Sequence, residues 1–154
     1  MSHHIAQINI AKMLAPLDSP IMAEFVSNLE VINKLAEASE GFIWRLKDEG
    51  NNATSIKIYN DEFLLVNMSV WKSVDALFQY AYQSQHVEIF RRRREWFEKM
   101  PQMHMALWFV PEGHQPDVEE ATLRLDYLRT HGETPYAFSF KKQFSIDDTL
   151  NFKP

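Results

Sequence analysis

The period of the hydrophobic pattern along this chain runs in the order two, 3.6, two, two, 3.6, two, and few folds accept that order. In HIAQINIAKM, residues 4–13, Ile8 and Ile10 point one way and Gln7 and Asn9 the other, as on a strand. A helix follows, with Ser19 as N-cap, Pro20 at its first position and Gly41 beyond its end; Ile21, Phe25, Leu29, Ile32 and Ala36 form its apolar stripe. FIWRLK reads as the second strand, DEGNN as a turn cluster and TSIKIY as a further short strand. In EFLLVNMSVW, Val66, Met68 and Val70 alternate with Asn67, Ser69 and Trp71. Ser73 caps the next helix, Ser84 restarts it, Pro101 ends it, and MHMALWFVP is the last strand. The spacing therefore predicts an α+β fold, a ferredoxin-like βαββαβ unit with an antiparallel sheet. PDVEEATLRLDYLRTHG adds a C-terminal helix with Val118, Ala121, Leu125 and Leu128 on one face. In the tail, Phe138 and Phe140 have strand spacing and fit a sheet edge or a partner subunit.

The length, 154 residues, fits one domain over 1–154, with a core at 4–112 and the added helix and tail at 113–154. A net charge of −5 disfavours nucleic acid as a partner. Cysteine is absent, which excludes thiol nucleophiles and iron–sulfur ligation and suits a reducing cytoplasm. The N-terminus has no basic, apolar leader pattern, and no run approaches the ~20 apolar residues that span a bilayer. We expect a cytoplasmic protein with no membrane partner. A four-stranded sheet with helices on one side leaves its other side in need of cover, so a homodimer is also expected.

Alternation divides the strand residues into an aliphatic set (Ile8, Ile10, Val66, Met68, Val70, Met105, Leu107, Phe109) and a mixed set. The mixed set contains Gln7, Asn9, Asn67, Ser69, Trp71, His104 and Trp108. Apolar walls with a few polar groups suit a small, flat aromatic ligand, and they equally suit a wet space between packed layers. Phe78, Tyr82, His86, Phe90 and Phe97 fall on one stripe if the helix runs through Ser84, which turns His86 inward. An inward imidazole is commonly a hydrogen-bonded core residue; beside aromatic walls it also serves as a general base or an iron ligand. The run Arg91–Arg94 has Glu88, Glu95 and Glu98 at helical spacing and reads first as a solvated, salt-bridged face. One or two of these arginines remain candidates to meet a carboxylate at a pocket mouth. No metal site is expected: the remaining histidines lack ligand spacing.

The stretches HIAQINIAKMLAPLDSPIMAEFV, EASEGFIWRL, NMSVWKSVDALFQYAYQSQH, RRRREWF, ALWFVPEGH and HGETPYAF resemble an uncharacterised bacterial family of unknown function in the dimeric α+β barrel superfamily. That superfamily includes antibiotic-biosynthesis and haem-degrading monooxygenases. Trp71, Ser73, Ser84 and His86 are similar to a pattern of the haem-degrading members, and Asn9, Trp71 and His86 match their site positions. The fifteen positions from Trp71 to His86, the third helix and the tail depart from those enzymes. The resemblance implies catalytic roles for Asn9, Trp71 and His86 in a monooxygenase-like enzyme, with Asn67, His104 and Trp108 lining a ligand space. No cofactor, or haem, goes with that reading. A noncatalytic ligand-binding or dimerisation module, and an isomerase on the same scaffold, stay open as alternatives.

Overall fold

The computed structural model describes residues 2–48, 50 and 52–154. The elements are β1 (His3–Lys12), α1 (Ala23–Ala38), β2 (Phe42–Arg45), β3 (Leu64–Trp71), α2 (Val74–Gln83), α3 (His86–Arg91), β4 (Met105–Pro111), α4 (Val118–His131) and α5 (Ile146–Leu150). The four strands form one sheet in the order β2-β3-β1-β4, and each neighbouring pair is antiparallel. This is the ferredoxin-like βαββαβ arrangement expected from the periodicities.

Several local signals act as read, and others do not. The Ser73 side chain accepts from the Ala76 N–H at 3.1 Å and starts α2. Ser19 does not cap. Its hydroxyl donates to Pro16 O at 2.7 Å, and the chain enters α1 through a 3₁₀ turn at Pro20–Met22. The helix after Ser84 ends at Arg91, with a 3₁₀ turn at Arg93–Glu95, well before Pro101. TSIKIY forms no strand; Tyr59 and Asn60 take φ of 56° and 54°, which turns the chain out of extended geometry into a lone Ile58–Asp61 bridge. Within the DEGNN cluster, Glu49 and Asn51 lie outside the described residues.

Strand register decides which side chains share a face. β1 sets Ala6 opposite Val70 and Trp108, and Ile8 opposite Met68 and Ala106. These residues, with Ile10, Val66 and Val110, make the larger core, and α4 closes it with Ala121, Leu125 and Leu128. Asp117 caps α4 by accepting from the Glu120 N–H at 2.8 Å, and Gly132 N–H closes its C-terminal end on Leu128 O at 2.9 Å. The sheet face expected to need a second subunit is therefore covered within this chain, by the C-terminal helix together with Leu46, Ala53, Ile56 and Ile58 from the segment between β2 and β3. The tail also folds back in cis, where Phe138 exchanges both backbone hydrogen bonds with Leu107 at the β4 edge.

On the opposite face, β1 sets Ile5 opposite Trp71 and Phe109, Gln7 opposite Ser69 and Leu107, and Asn9 opposite Asn67 and Met105. The expected division of β4 is thus inverted. Met105, Leu107 and Phe109 share the face of Gln7 and Asn9, and Trp108 belongs with Ile8. This second face carries α1, α2 and α3, with a core around Trp71, Leu77 and Phe138 at one end and Met22 and Trp96 at the other.

Candidate functional site

Helix α1 has the stripe of a core helix, yet of its residues only Ala36 is buried. Phe25, Leu29 and Ile32 instead line a cavity of about 240 Å³ closed by the sheet, α3 and the segment leading to β4. A second hollow of about 80 Å³ continues towards Trp71. Asn9, Asn33, Arg45, Asn67, His86 and Phe90 line both.

The polar side chains on the sheet are fixed by a chain of hydrogen bonds. Trp71 Nε1 donates to Ser69 Oγ at 2.8 Å, and Gln7 Nε2 donates to the same oxygen at 2.8 Å and to Asn67 Oδ1 at 2.6 Å. The Asn67 carbonyl is thereby occupied, which leaves its NH₂ as the group to meet a ligand. Asn9, directly opposite, has its carbonyl oxygen 3.4 Å from His104 Nδ1 and likewise keeps its NH₂. Paired residues of this kind sit about 5 Å apart at Cβ, so two amide donors stand side by side on the cavity floor.

His86 begins α3, immediately after the helix break. Ser84 makes that break: its hydroxyl donates to Tyr80 O, and its oxygen accepts from the His86 N–H at 3.1 Å. The imidazole Nδ1 lies 2.9 Å from Ala81 O. A carbonyl only accepts, so Nδ1 carries the proton and Nε2 holds the lone pair. Among the described residues Nε2 has no hydrogen-bond partner. Burial holds this imidazole below the usual histidine range, against the opposing pull of the Ala81 carbonyl. At neutral pH it is an uncharged base.

Between Trp71 and His86 lies Tyr80, a residue the sequence did not single out. Its ring stacks on Trp71 at 5.1 Å and 26°, and its other neighbour is the His86 ring at 5.0 Å. Trp71 is fully buried, packed edge-on by Phe42, and its N–H is consumed by Ser69. It lines the smaller hollow and anchors the hydrogen-bonded chain. Burial pushes the Tyr80 phenol pKa up, so it stays protonated.

Of the residues expected at a site, Asn9, Trp71 and His86 meet at the smaller hollow, and Asn9, Asn67, His86 and His104 line the larger. Trp108 is excluded. It lies on the other side of the sheet, fully buried, with Nε1 donating to Glu120 on α4 at 2.8 Å. The arginine run divides in two. Arg91 pairs with Glu88 at 3.3 Å, and Arg92 with Glu24 and Glu95 at 2.6 and 2.8 Å, whereas Arg93 and Arg94 line the cavity. Arg45, on β2 and 7% exposed, lies 3.7 Å from Glu37 and also lines both spaces. Asn28 and Asn33, one on each flank of the α1 stripe, are the readable hint that this helix faces something polar.

The enclosed space is small for a tetrapyrrole. Drug-sized ligands already need pockets of about 300–1,000 Å³. The larger cavity, at about 240 Å³, suits a molecule of two or three fused rings. Among the described residues no group of three His, Asp or Glu side chains gathers to hold a metal ion, and no helix is long and apolar enough to cross a membrane.

Three solved structures are similar to this fold. SnoaB, a cofactor-independent oxygenase from Streptomyces nogalater, aligns over 75% of this chain and 100% of its own, with 15% identity and a TM-score of 0.51. PA3566 from Pseudomonas aeruginosa aligns over 74% of this chain and 98% of its own at 14% identity, with a TM-score of 0.47. Rv0793 from Mycobacterium tuberculosis aligns over 74% and 99% at 14% identity, with a TM-score of 0.45. A search among curated proteins finds no significant match. Residues 4–153 match a family described as a domain of unknown function, DUF3291. The chain belongs to the DUF3291 family, on an α+β scaffold shared with SnoaB.

Proposed function

We propose that this protein binds a small, flat aromatic molecule in the cavity between α1, α3 and the sheet, and that His86 Nε2 removes a proton from it. The anion so formed is held by the NH₂ groups of Asn9 and Asn67 and reacts with molecular oxygen without a cofactor. One observation carries this reading: a neutral imidazole, its Nδ1 locked on Ala81 O, shares a cavity with two amide donors whose carbonyls are already engaged. A base and an oxyanion site on one hollow are what deprotonation of a phenol or quinol needs. Phe25, Phe90 and Trp96 supply ring surfaces along the walls. Trp71 acts through Ser69 and Gln7 by positioning the Asn67 amide. That SnoaB carries out cofactor-independent oxygenation on this scaffold supports the reading at the level of fold.

The test is oxygen uptake with 1-naphthol and 1,4-dihydroxynaphthalene, measured above the spontaneous rate, for wild type and His86→Gln. Loss of general-base catalysis lowers the rate about 10²- to 10⁴-fold. Equal rates for the two proteins would overturn the base, and binding without any uptake would leave a noncatalytic ligand carrier. Haemin added to the protein should keep the spectrum of the free compound. The homodimer expected from an uncovered sheet face has lost that reason, because α4 and the segment between β2 and β3 cover the face, and sedimentation of the full chain decides whether it dimerises.

A further inference from the structure

Arg45, Arg93 and Arg94 line the cavity, while among the described lining residues the one carboxylate is that of the exposed Glu98. This is an unusual balance in a chain of net charge −5. Arg91 and Arg92, next to them in sequence, are matched by Glu88, Glu24 and Glu95. Arg93 and Arg94 have no carboxylate within 4.0 Å among the described residues. Arg93 is held in place nonetheless: its Nη1 donates to Phe90 O at 3.0 Å, and its guanidinium lies over the Phe90 ring at 4.2 Å. A guanidinium has five N–H donors, so most of the Arg93 fork remains for a ligand. The same end of the cavity holds His104, depressed below the usual histidine range first by partial desolvation and then by the charges of Arg94, Arg129 and Arg93. Three cations thus act on one neutral imidazole beside the space.

We propose that the occupant of this cavity is an aromatic carboxylic acid, its carboxylate held by the Arg93 and Arg94 forks at the His104 end. This rests on the cavity being the ligand site, as argued above, and adds the class of ligand. With the acid group at the arginines, the ring extends between Phe25 and Phe90 towards His86 and the Asn9–Asn67 pair. An arginine fork pairs bidentately with carboxylate and phosphate alike, but phosphate sites commonly add glycine-rich backbone amides, and none of the four glycines lines this cavity, which favours the carboxylate.

Titration calorimetry with 2-naphthoate and its uncharged isostere 2-naphthamide tests the assignment. The wild type should bind the acid about tenfold or more tightly than the amide, the range of a charge-assisted hydrogen bond. Arg94→Gln and Arg93→Gln should each remove most of that preference. Arg91→Gln, at an exposed, paired site, should keep it. Arg94 is exposed, so its variant folds even if the Arg93 variant does not. An amide bound as tightly as the acid, or a preference that survives in Arg94→Gln, would overturn the carboxylate assignment while leaving the cavity as a ligand site. Tighter binding of 2-naphthyl phosphate would also overturn it, in favour of a phosphate ester. Failure of both naphthyl probes to bind the wild type would overturn the site itself, and this inference with it.

Discussion

Ser69→Ala isolates the element on which the arrangement of the sheet-side donors depends. Ser69 is 6% exposed, and its Oγ accepts two hydrogen bonds, from Trp71 Nε1 and from Gln7 Nε2, each at 2.8 Å. The substitution deletes one oxygen and creates almost no void. It strands a fully buried indole N–H, while Gln7 keeps its bond to Asn67. An unsatisfied buried donor costs about 1–3 kcal/mol. For a chain of this length ~2 kcal/mol corresponds to a fall in Tm of about 4–8 °C. Trp71→Phe removes the donor instead, together with part of the stack on Tyr80. In the double variant neither partner is left wanting, so its cost should fall short of the sum of the singles by about 1–2 kcal/mol. Urea unfolding of the four proteins, compared at constant m, measures this coupling. Additive costs, or a Ser69→Ala loss under about 0.5 kcal/mol, would refute the chain of bonds and, with it, the fixed orientation of the Asn67 amide.

Leu125→Ala, fully buried between α4 and the sheet, should cost about 2.7–5 kcal/mol in urea unfolding; a loss near zero would mean that α4 does not cover that face. Gly41 has φ +86°, and a Cβ there would lie 2.5 Å from the Ala76 Cβ, so Gly41→Ala should cost about 2–4 kcal/mol by thermal melting, from backbone strain and overpacking together. His86 and His104 both have lowered pKa values, so as pH falls below about 6.5 the unfolded chain takes up protons before the folded one. Stability is then complete above that pH and declines towards the folded-state values. His86→Gln should flatten the difference in unfolding free energy between pH 7.5 and 5.5, and an unchanged pH slope would contradict the buried, neutral imidazole.

How far the sequence could be read depended on whether the relevant physics was local. The alternation of Ile8 and Ile10 with Gln7 and Asn9, the Ser73 cap, the interruption at Ser84 and the amphipathic face of α4 rest on contacts within a few residues, and each appears in the structure. The partners of Arg91 and Arg92 at i±3 were legible for the same reason. Serine is ambiguous before a proline, and Ser19 spends its hydroxyl on a turn instead of a cap. The phase of β4 could not be read, because MALWFV is apolar on both sides and both sides are covered; only pairing with β1 sends Trp108 to α4 and Leu107 to Gln7.

By itself the sequence determined the order of the four strands and of helices α1, α2 and α4, since periodicity and capping act over one or two turns of chain. It also determined the candidates Asn9, Asn67, His86 and His104, because polar side chains at predicted strand and helix positions stand out against an apolar pattern. Tertiary structure alone decided what these residues share. It stood α1 off the sheet to open a cavity, placed Tyr80 between Trp71 and His86, and set Arg93 and Arg94 along that cavity while Arg91 and Arg92 kept their glutamates. It also folded α4 over a face that otherwise asked for a second subunit. A cavity, a stack or a covered face exists only through groups far apart in the chain, and their distances are set by packing, which no local pattern records.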